Sequence, residues 1–390
     1  MNIGKTIFSQ VLDFIPKKAF DRCVDKYNGN YRARSFSCWD QYLCMSFAQL
    51  TYRESLRDTV LCLNSLYNKL YHSGIKGNVS KSTLADANEK RNSNIYSEFA
   101  NFLISIARNI YSNDDFGVDL EETAYALDSS TISLCLSMFP WAKYRKTKGA
   151  IKLHTLMDLR GNIPAFISIS DGKTHDVNFL DKIIPEPGAF YIMDRGYLDF
   201  KRLYYLNHCM SFFITRTKKN TSFKRVYSNK IDINTGLLCD QCIKLKDRIT
   251  SKDYPDRLRR IKYYDKDTGK KLTFLTNNFI IHPITVTQLY RSRWQIELFF
   301  KWIKQHLRIK AFYGTSENAV KTQIWIAVSV YVLVSIIRKK LMLDDLRLYT
   351  ILQILSVTLF EKSSLYETLR LNGSTYGHVL ENNQLKLFES

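Results

Sequence analysis

The sequence predicts an α/β fold: a mixed sheet with flanking helices, interrupted by a β-rich insertion and preceded by an α-helical N-terminal domain. Three observations lead there. Residues 1 to about 112 carry apolar side chains at helical spacing. From about Glu121 the pattern turns to period-two alternation and short apolar runs. A second helical stretch begins near Thr285 and continues towards the C-terminus.

In the N-terminal part, Ser37 suits the cap of a helix through Leu50, with Trp39, Tyr42, Leu43, Met45 and Phe47 as its apolar stripe. A second helix is expected from about Arg53 to Leu70. The segment from Ser80 to Arg91 reads as a short polar helix carrying Lys81, Lys90 and Arg91. In outline it resembles a DNA-reading helix, and an ordinary surface helix is the alternative. Next, Ala124–Leu127 reads as a strand ending at Asp128. Ala150–Met157 and Ile163–Ile169 read as two more strands across the turn Asp158–Asn162, completing an antiparallel meander. A helix is expected at Val177–Ile184, a strand at Ala189–Met193 ending at Asp194, a helix at Asp199–Asn207 and a strand at Met210–Thr215.

Residues 216 to about 271 are basic and lack helical periodicity. Lys218, Lys219, Lys224, Arg225, Arg257, Arg259, Arg260 and Lys262 are interleaved with Phe223, Tyr227, Tyr254, Tyr263 and Tyr264. This stretch reads as an inserted β-rich module, with Leu272–Leu275 returning the chain to the core. Thr285 and Gln288 then form a capping box, with Ile284 and Leu289 as a hydrophobic staple, for one helix from Val286 to about His306. Helices at Ala319–Lys340 and Leu346–Glu361 and a loose tail complete the chain. The domains are thus 1–115, helical; 120–340, the α/β core with its insertion at about 216–271; and 341–390, a helical C-terminal region and tail.

Composition narrows the function. The 390 residues carry a formal net charge of +20 and are 45% hydrophobic, so the chain is long and apolar enough for a sizeable core and two or three domains. The charge favours a polyanionic partner, against the alternative of a basic protein with no nucleic-acid role. Of eight cysteines only Cys239 and Cys242 form a CxxC pair, and no second pair stands at zinc-ligand spacing; free thiols in a reducing cytoplasm are expected. Met1–Phe14 lacks a signal-peptide core. The apolar run Ile324–Ile337 is shorter than the roughly 20 residues that span a bilayer, so a buried helix is expected, in a cytoplasmic, nucleoid-associated protein with no membrane partner.

The chemistry concentrates on the helix near residue 300. Tyr290, Arg293, Glu297 and Lys304 stand at offsets that, at about 100° per residue, fall within a sector of roughly 60°. A carboxylate on that face, amid groups suited to nucleic acid, points to metal-dependent phosphodiester chemistry. Asp128 and Asp194 follow apolar strands, where side chains leave the buried layer, and Glu297 completes a three-carboxylate cluster. Such oxygen donors suit Mg²⁺ or Mn²⁺, and two ions about 3.5–4 Å apart support in-line attack at phosphorus. Glu122, Asp158, Asp171 and Asp176 compete by proximity. His154 and His175 are open between site and packing roles, as is the basic loop around Trp141 with Lys143, Arg145, Lys146 and Lys148.

These residues resemble an insertion-sequence transposase of prokaryotes with an RNase H-like DDE core, in the group marked by Y-(2)-R-(3)-E-(6)-K, which Tyr290, Arg293, Glu297 and Lys304 match without a gap. Leu127-Asp-Ser-Ser-Thr131 and Met193-Asp-Arg-Gly-Tyr197 resemble the first and second aspartate motifs, and Lys148–His154 and Gly172–Asp176 resemble flanking patterns. The likeness spans about Ala124 to Lys304. It implies that Asp128, Asp194 and Glu297 are catalytic and bind two Mg²⁺ or Mn²⁺ ions. It implies DNA contacts at Tyr290, Arg293 and Lys304; Arg195 beside the second aspartate and Lys148 join them as candidate DNA-binding residues.

The activity implied is binding of terminal inverted repeats, cleavage, and transfer of 3′ ends to target DNA by a homodimer on paired double-stranded ends. Better-known relatives place a tryptophan of the insertion against a flipped base, and this chain has none between Arg216 and Lys271; Tyr227, Tyr263 or Tyr264 offers an aromatic face instead. A structure-selective nuclease and a non-catalytic DNA-binding repressor from a decayed element are the rival readings.

Overall fold

The computed structural model describes residues 4–75, 77–218, 221–306 and 312–377. Lys219 and the tail beyond 377 lie outside them. The chain forms two compact units, one of Met1–Tyr111, Ile132–Gly149 and Lys301–Ser390, the other of Ser112–Thr131 and Ala150–Phe300.

The first unit is helical. It opens with α1 (Ile7–Leu12), α2 (Lys17–Lys26), α3 (Cys38–Leu50), α4 (Leu56–Ser65), α5 (Tyr67–Leu70), α6 (Lys81–Lys90) and α7 (Asn94–Tyr111). Ser37 caps α3 as the sequence requires: its hydroxyl accepts from the Asp40 amide, and the Asp40 carboxylate accepts from the Ser37 amide. Phe20 packs against Trp39, Tyr42 and Phe99. α7 is amphipathic, burying Ile95, Phe99, Leu103 and Ala107 at helical spacing. The helix expected over 53–70 is instead two pieces, α4 and α5, parted at Leu66.

The second unit is built on a sheet. Its strands are β1 (Ala124–Leu134), β3 (Lys148–Asp158), β4 (Ile163–Asp171), β5 (Phe190–Met193), β6 (Phe212–Arg216), β7 (Phe223–Ser228), β8 (Leu237–Leu245), β9 (Leu258–Asp265) and β10 (Lys270–Thr276). The short β2 (Lys143–Arg145) pairs with the opening residues of β3 in the helical unit. The order is β3-β1-β5-β6-β10-β9-β8-β7, with β4 beside β3. β1, β5 and β6 run parallel, while β3–β4 and the run from β6 through β10 to β7 pair antiparallel. Helices α8 (Phe200–His208), capped by the Asp199 carboxylate, α9 (Arg248–Asp253), α10 (Pro283–Ser292) and α11 (Trp294–His306) complete the chain through this stretch. The core beneath the sheet gathers Leu127, Phe179, Tyr191, Met193, Leu203 and Phe213.

Three expectations are corrected. β1 does not end at Asp128 but continues to Leu134, because Ser130, Ile132 and Leu134 keep the inward alternation of a strand. The helix expected at Val177–Ile184 is a 3₁₀ segment, Asp176–Lys182. The insertion is no separate module: its strands extend the same sheet beyond β6. Two of its residues, Arg259 and Tyr254, are buried.

Arg259 explains itself through its partners. Its Nε and Nη2 donate to the two oxygens of Asp240, each at 2.9 Å, and Nη1 donates to the Ile281 carbonyl at 2.7 Å. The pair ties β8 and β9 to the loop from which α10 starts. Asp240→Ala would leave a buried guanidinium without its counter-charge, a loss of about 3–5 kcal/mol in denaturant unfolding. A loss below about 1 kcal/mol, the range of an exposed pair, would refute that role.

The remaining helices, α12 (Glu317–Lys340), α13 (Leu348–Thr358) and α14 (Leu365–Gly377), belong to the helical unit. Ser316 caps α12, and Arg338, Lys339 and Lys340 fill its last turn. By length and composition α12 is apolar enough to cross a membrane, yet 94% of its apolar window is buried, against α7, α3 and α6 among others. Tyr42 meets the Ser329 hydroxyl, and Tyr111 donates to the Ser335 carbonyl. It is the core helix of its unit.

Candidate active site

The register of β1 on β5 decides where the aspartates go. The strands pair in parallel, with Leu127 opposite Met193 as the last pair of that ladder. Asp128 and Asp194 are the next residues of the two strands. They leave that ladder at the same end, where β5 stops and β1 continues past it to Leu134.

The third carboxylate arrives on α11, by a route the sequence did not reveal. The single helix expected from Val286 is two, and its start differs: His282 is the cap, through Nδ1, with Pro283 at the first helical position. Thr285 caps nothing; it lies inside the first turn. Between the two helices, Arg293 N donates to Tyr290 O and Ile296 N to Arg293 O, one tight turn in place of the regular ladder. The Ser292 hydroxyl donates to the Gln288 carbonyl, a side-chain bond of the kind that bends helices. The uniform arithmetic over one straight helix therefore fails at Arg293.

What the bend presents is an ionic bridge. Arg293 Nη1 donates to Asp128 Oδ2 at 2.6 Å, and Nη2 donates to Glu297 Oε1 at 2.7 Å. The guanidinium is largely buried, and its Nε meets no acceptor. The Tyr290 hydroxyl donates to Asp194 Oδ1 at 3.2 Å, while its ring packs on Phe274. Arg293, 5.8 Å from that ring centroid, also makes a cation–π contact. Asp128, Asp194, Glu297, Tyr290 and Arg293 thus form one connected set. Lys304 lies on the later part of α11, within the helical unit. Arg195 follows Asp194 in an exposed 3₁₀ turn, and Lys148 is exposed at the first residue of β3, in the helical unit.

Electrostatics follow burial. Desolvation pushes the Asp128 carboxyl above its ordinary range, opposed by Arg293. Burial, with Asp194 alongside, raises the Tyr290 phenol to about 12, so it stays a donor. Among the described residues no three or more His, Cys, Asp or Glu side chains stand at metal-holding spacing. The Arg293 guanidinium bridges Asp128 and Glu297 through its two terminal nitrogens.

Of the competing acids, Asp158 and Asp171 close turns, accepting from the amides of Arg160 and Thr174. Asp176 is different. It accepts from the Ser129 hydroxyl at 2.7 Å and from Lys152 Nζ at 3.0 Å, and so holds the residue that follows Asp128. The sequence named Asp176 as a rival and as the last residue of a flanking pattern; the pairing of Lys152 with it was not visible. Tyr227 and Tyr264 are exposed on β7 and β9, and Tyr263 is half-buried. His175 is exposed, whereas His154 is packed, bonding the Ser170 hydroxyl and stacking on Phe179.

Asp128, Asp194 and Glu297 are joined through a tyrosine and an arginine of the same helix pair, and the stretch that carries them matches a known class, the transposases of the DDE kind. The chain belongs to the family described as "Transposase DDE domain", which matches residues 119–333, more than half its length. Residues 3–76 match a second family, described as "Domain of unknown function (DUF4372)". Among curated proteins the chain is 34% identical over 214 residues to transposase y4zB of Sinorhizobium fredii, covering 54% of this chain and 59% of that one. It is 28% identical over 213 residues to a transposase for insertion sequence element IS5377 of Geobacillus stearothermophilus, covering 53% and 54%. A transposase for IS4SA of Synechocystis is 23% identical over 329 residues, covering 82% and 88%. The chain thus spans less than two thirds of the first two relatives. A solved piggyBac transposase synaptic complex with hairpin DNA has a TM-score of 0.42 at 12% identity, covering 98% of this chain and 82% of that one; so slight a likeness carries nothing further.

The packed histidine gives a pH prediction. Burial depresses the His154 pKa to about 4, from about 6.5 in an unfolded chain. A depressed histidine pKa means the fold holds the neutral ring, so its share of stability is full above about pH 6.5 and is lost as pH falls through about 4. The loss is up to about 3 kcal/mol. His154→Phe keeps an aromatic ring there and removes the titration, so its urea midpoint should fall less between pH 7 and pH 4.5 than that of the parent. An identical fall in both proteins would refute the assignment.

Proposed function

We propose that the chain is the transposase of an insertion sequence, binding the element's terminal inverted repeats, cutting phosphodiesters there and joining the freed 3′ ends to target DNA. The observation that carries this is the convergence of Asp128, Asp194 and Glu297 on the Arg293–Tyr290 bridge. The catalytic fold is read as RNase H-like, its core at 120–340 and its insertion at about 216–271. Residues 1–115 serve as the helical DNA-binding part, and 341–390 as a helical C-terminal region.

The donor set fits a hard divalent cation. It is all carboxylate oxygen, and Asp128 is buried enough that a cation already sits against it, namely Arg293. Asp128, Asp194 and Glu297 would hold Mg²⁺ or Mn²⁺. Such ions, when bound, supply activation of water or a 3′-hydroxyl and stabilisation of the leaving oxygen.

The chain's own residues do the rest. Arg293 neutralises Asp128 and Glu297 while DNA is absent and offers its planar fork to a phosphate when DNA enters. Tyr290 orients Asp194 through its hydroxyl. Lys304 adds a point charge for phosphate, and Arg195 and Lys148, both exposed, hold the DNA backbone. Two protomers act on two ends.

The test uses purified protein, Mg²⁺ and donor DNA ending in the element's inverted repeats. Joined donor–target products are expected; cleavage without joining would leave a nuclease. Glu297→Gln and Asp128→Asn should each lose at least ~10²-fold of cleavage yet retain end binding. Near-parental cleavage by Glu297→Gln would remove Glu297 from the metal ligands.

A further inference from the structure

The N-terminal helical unit carries a groove of about 620 Å³ between the loop at residues 27–36 and one face of α6. Four of its lining residues are basic, Arg32, Arg34, Lys90 and Arg91, against one acid, Asp86. Half of its wall lies in the stretch matched by the domain of unknown function.

The loop is a fixed frame. Gly29 sits so tightly that an added Cβ would come within 2.5 Å of Ile95 Cδ1 and 2.7 Å of Cys38 Sγ. Asn30 Oδ1 accepts from the Cys38 amide at 2.7 Å. Arg91 is spent on the frame: it donates to the carbonyls of Phe36 and Ser37 and to Gln41 Oε1. Arg32 and Arg34 are not. Both are exposed, and among the described residues neither makes a hydrogen bond or ion pair; Arg32 lies 5.1 Å from the centroid of the Tyr31 ring. Arg32 also holds φ of +56°, a left-handed conformation that costs a non-glycine residue about 1–2 kcal/mol. The fold therefore tolerates strain to present two uncommitted guanidinium groups on a rigid edge.

Across the groove, α6 shows Ser82, Thr83, Asp86 and Lys90, all exposed and at helical spacing. Lys90 is paired with Asp86 at 3.0 Å, so it is the small hydroxyl side chains that face the two free arginines, an arrangement that suits a ridge of phosphates with a helix beside it. The geometry points to this groove as a docking site for the backbone of duplex DNA, with Arg32 and Arg34 as its phosphate contacts. The Tyr31 face is engaged by Arg32, which argues against base stacking and so against single strands. The inference rests on the reading that the chain acts on DNA and assigns that contact to the N-terminal unit.

The experiment compares the full chain with an Arg32→Gln/Arg34→Gln variant by anisotropy of a labelled duplex bearing the terminal repeat, one of scrambled sequence, and a single strand, across a salt series. Losing two phosphate contacts should reduce the slope of log affinity against log salt by about 1.8 on both duplexes, at an unchanged melting temperature. Arg57→Gln/Lys69→Gln, exposed charges elsewhere in the unit, should change it less. An unchanged slope in the first variant, an equal drop in the second, or preference for the single strand overturns the groove and leaves the proposed function standing. A parent chain that binds no duplex overturns both.

Discussion

The site depends on one guanidinium. Arg293 is nearly enclosed, and it is held by carboxylates from two different elements, Asp128 on β1 and Glu297 on α11. Burying a charge costs several kcal/mol, repaid only when its partners are close and well directed. Here both are. The same burial that raises the Asp128 pKa makes it seek a cation, so the sheet and the helix pair hold each other through an interaction neither could afford alone.

This bridge helps hold together acids that are far apart in sequence. Positive charge from the chain itself offsets their repulsion. Tyr290 does a smaller version of the same task for Asp194, lending a proton that its own pKa keeps in place.

Much of this was legible in the residues. The period-two runs gave β3, β4, β5 and β6 nearly to the residue, the Ser37 box gave α3, and the apolar run at 324–337 gave the buried centre of α12. The pattern Tyr290, Arg293, Glu297 marked side chains that do meet. Pairing was not legible. Nothing local says that Leu127 faces Met193, that the inserted strands join the main sheet, or that Lys152 reaches Asp176, because each depends on long-range contacts. The bend at Arg293 was also hidden, since the sequence offers neither proline nor glycine there, and a serine bonding back one turn accompanies it. The burial of Arg259 was hidden for a related reason: its partner is an acid on a neighbouring strand, Asp240.

That same arginine has a mechanical meaning. Its guanidinium grips Asp240 on β8 with one edge and the Ile281 carbonyl with the other, one residue ahead of the cap of α10. The outer strands and the helix that bears Tyr290 are therefore geared. A load applied to β8 or β9 arrives, through a few stiff bonds, at the root of the helix that carries Tyr290.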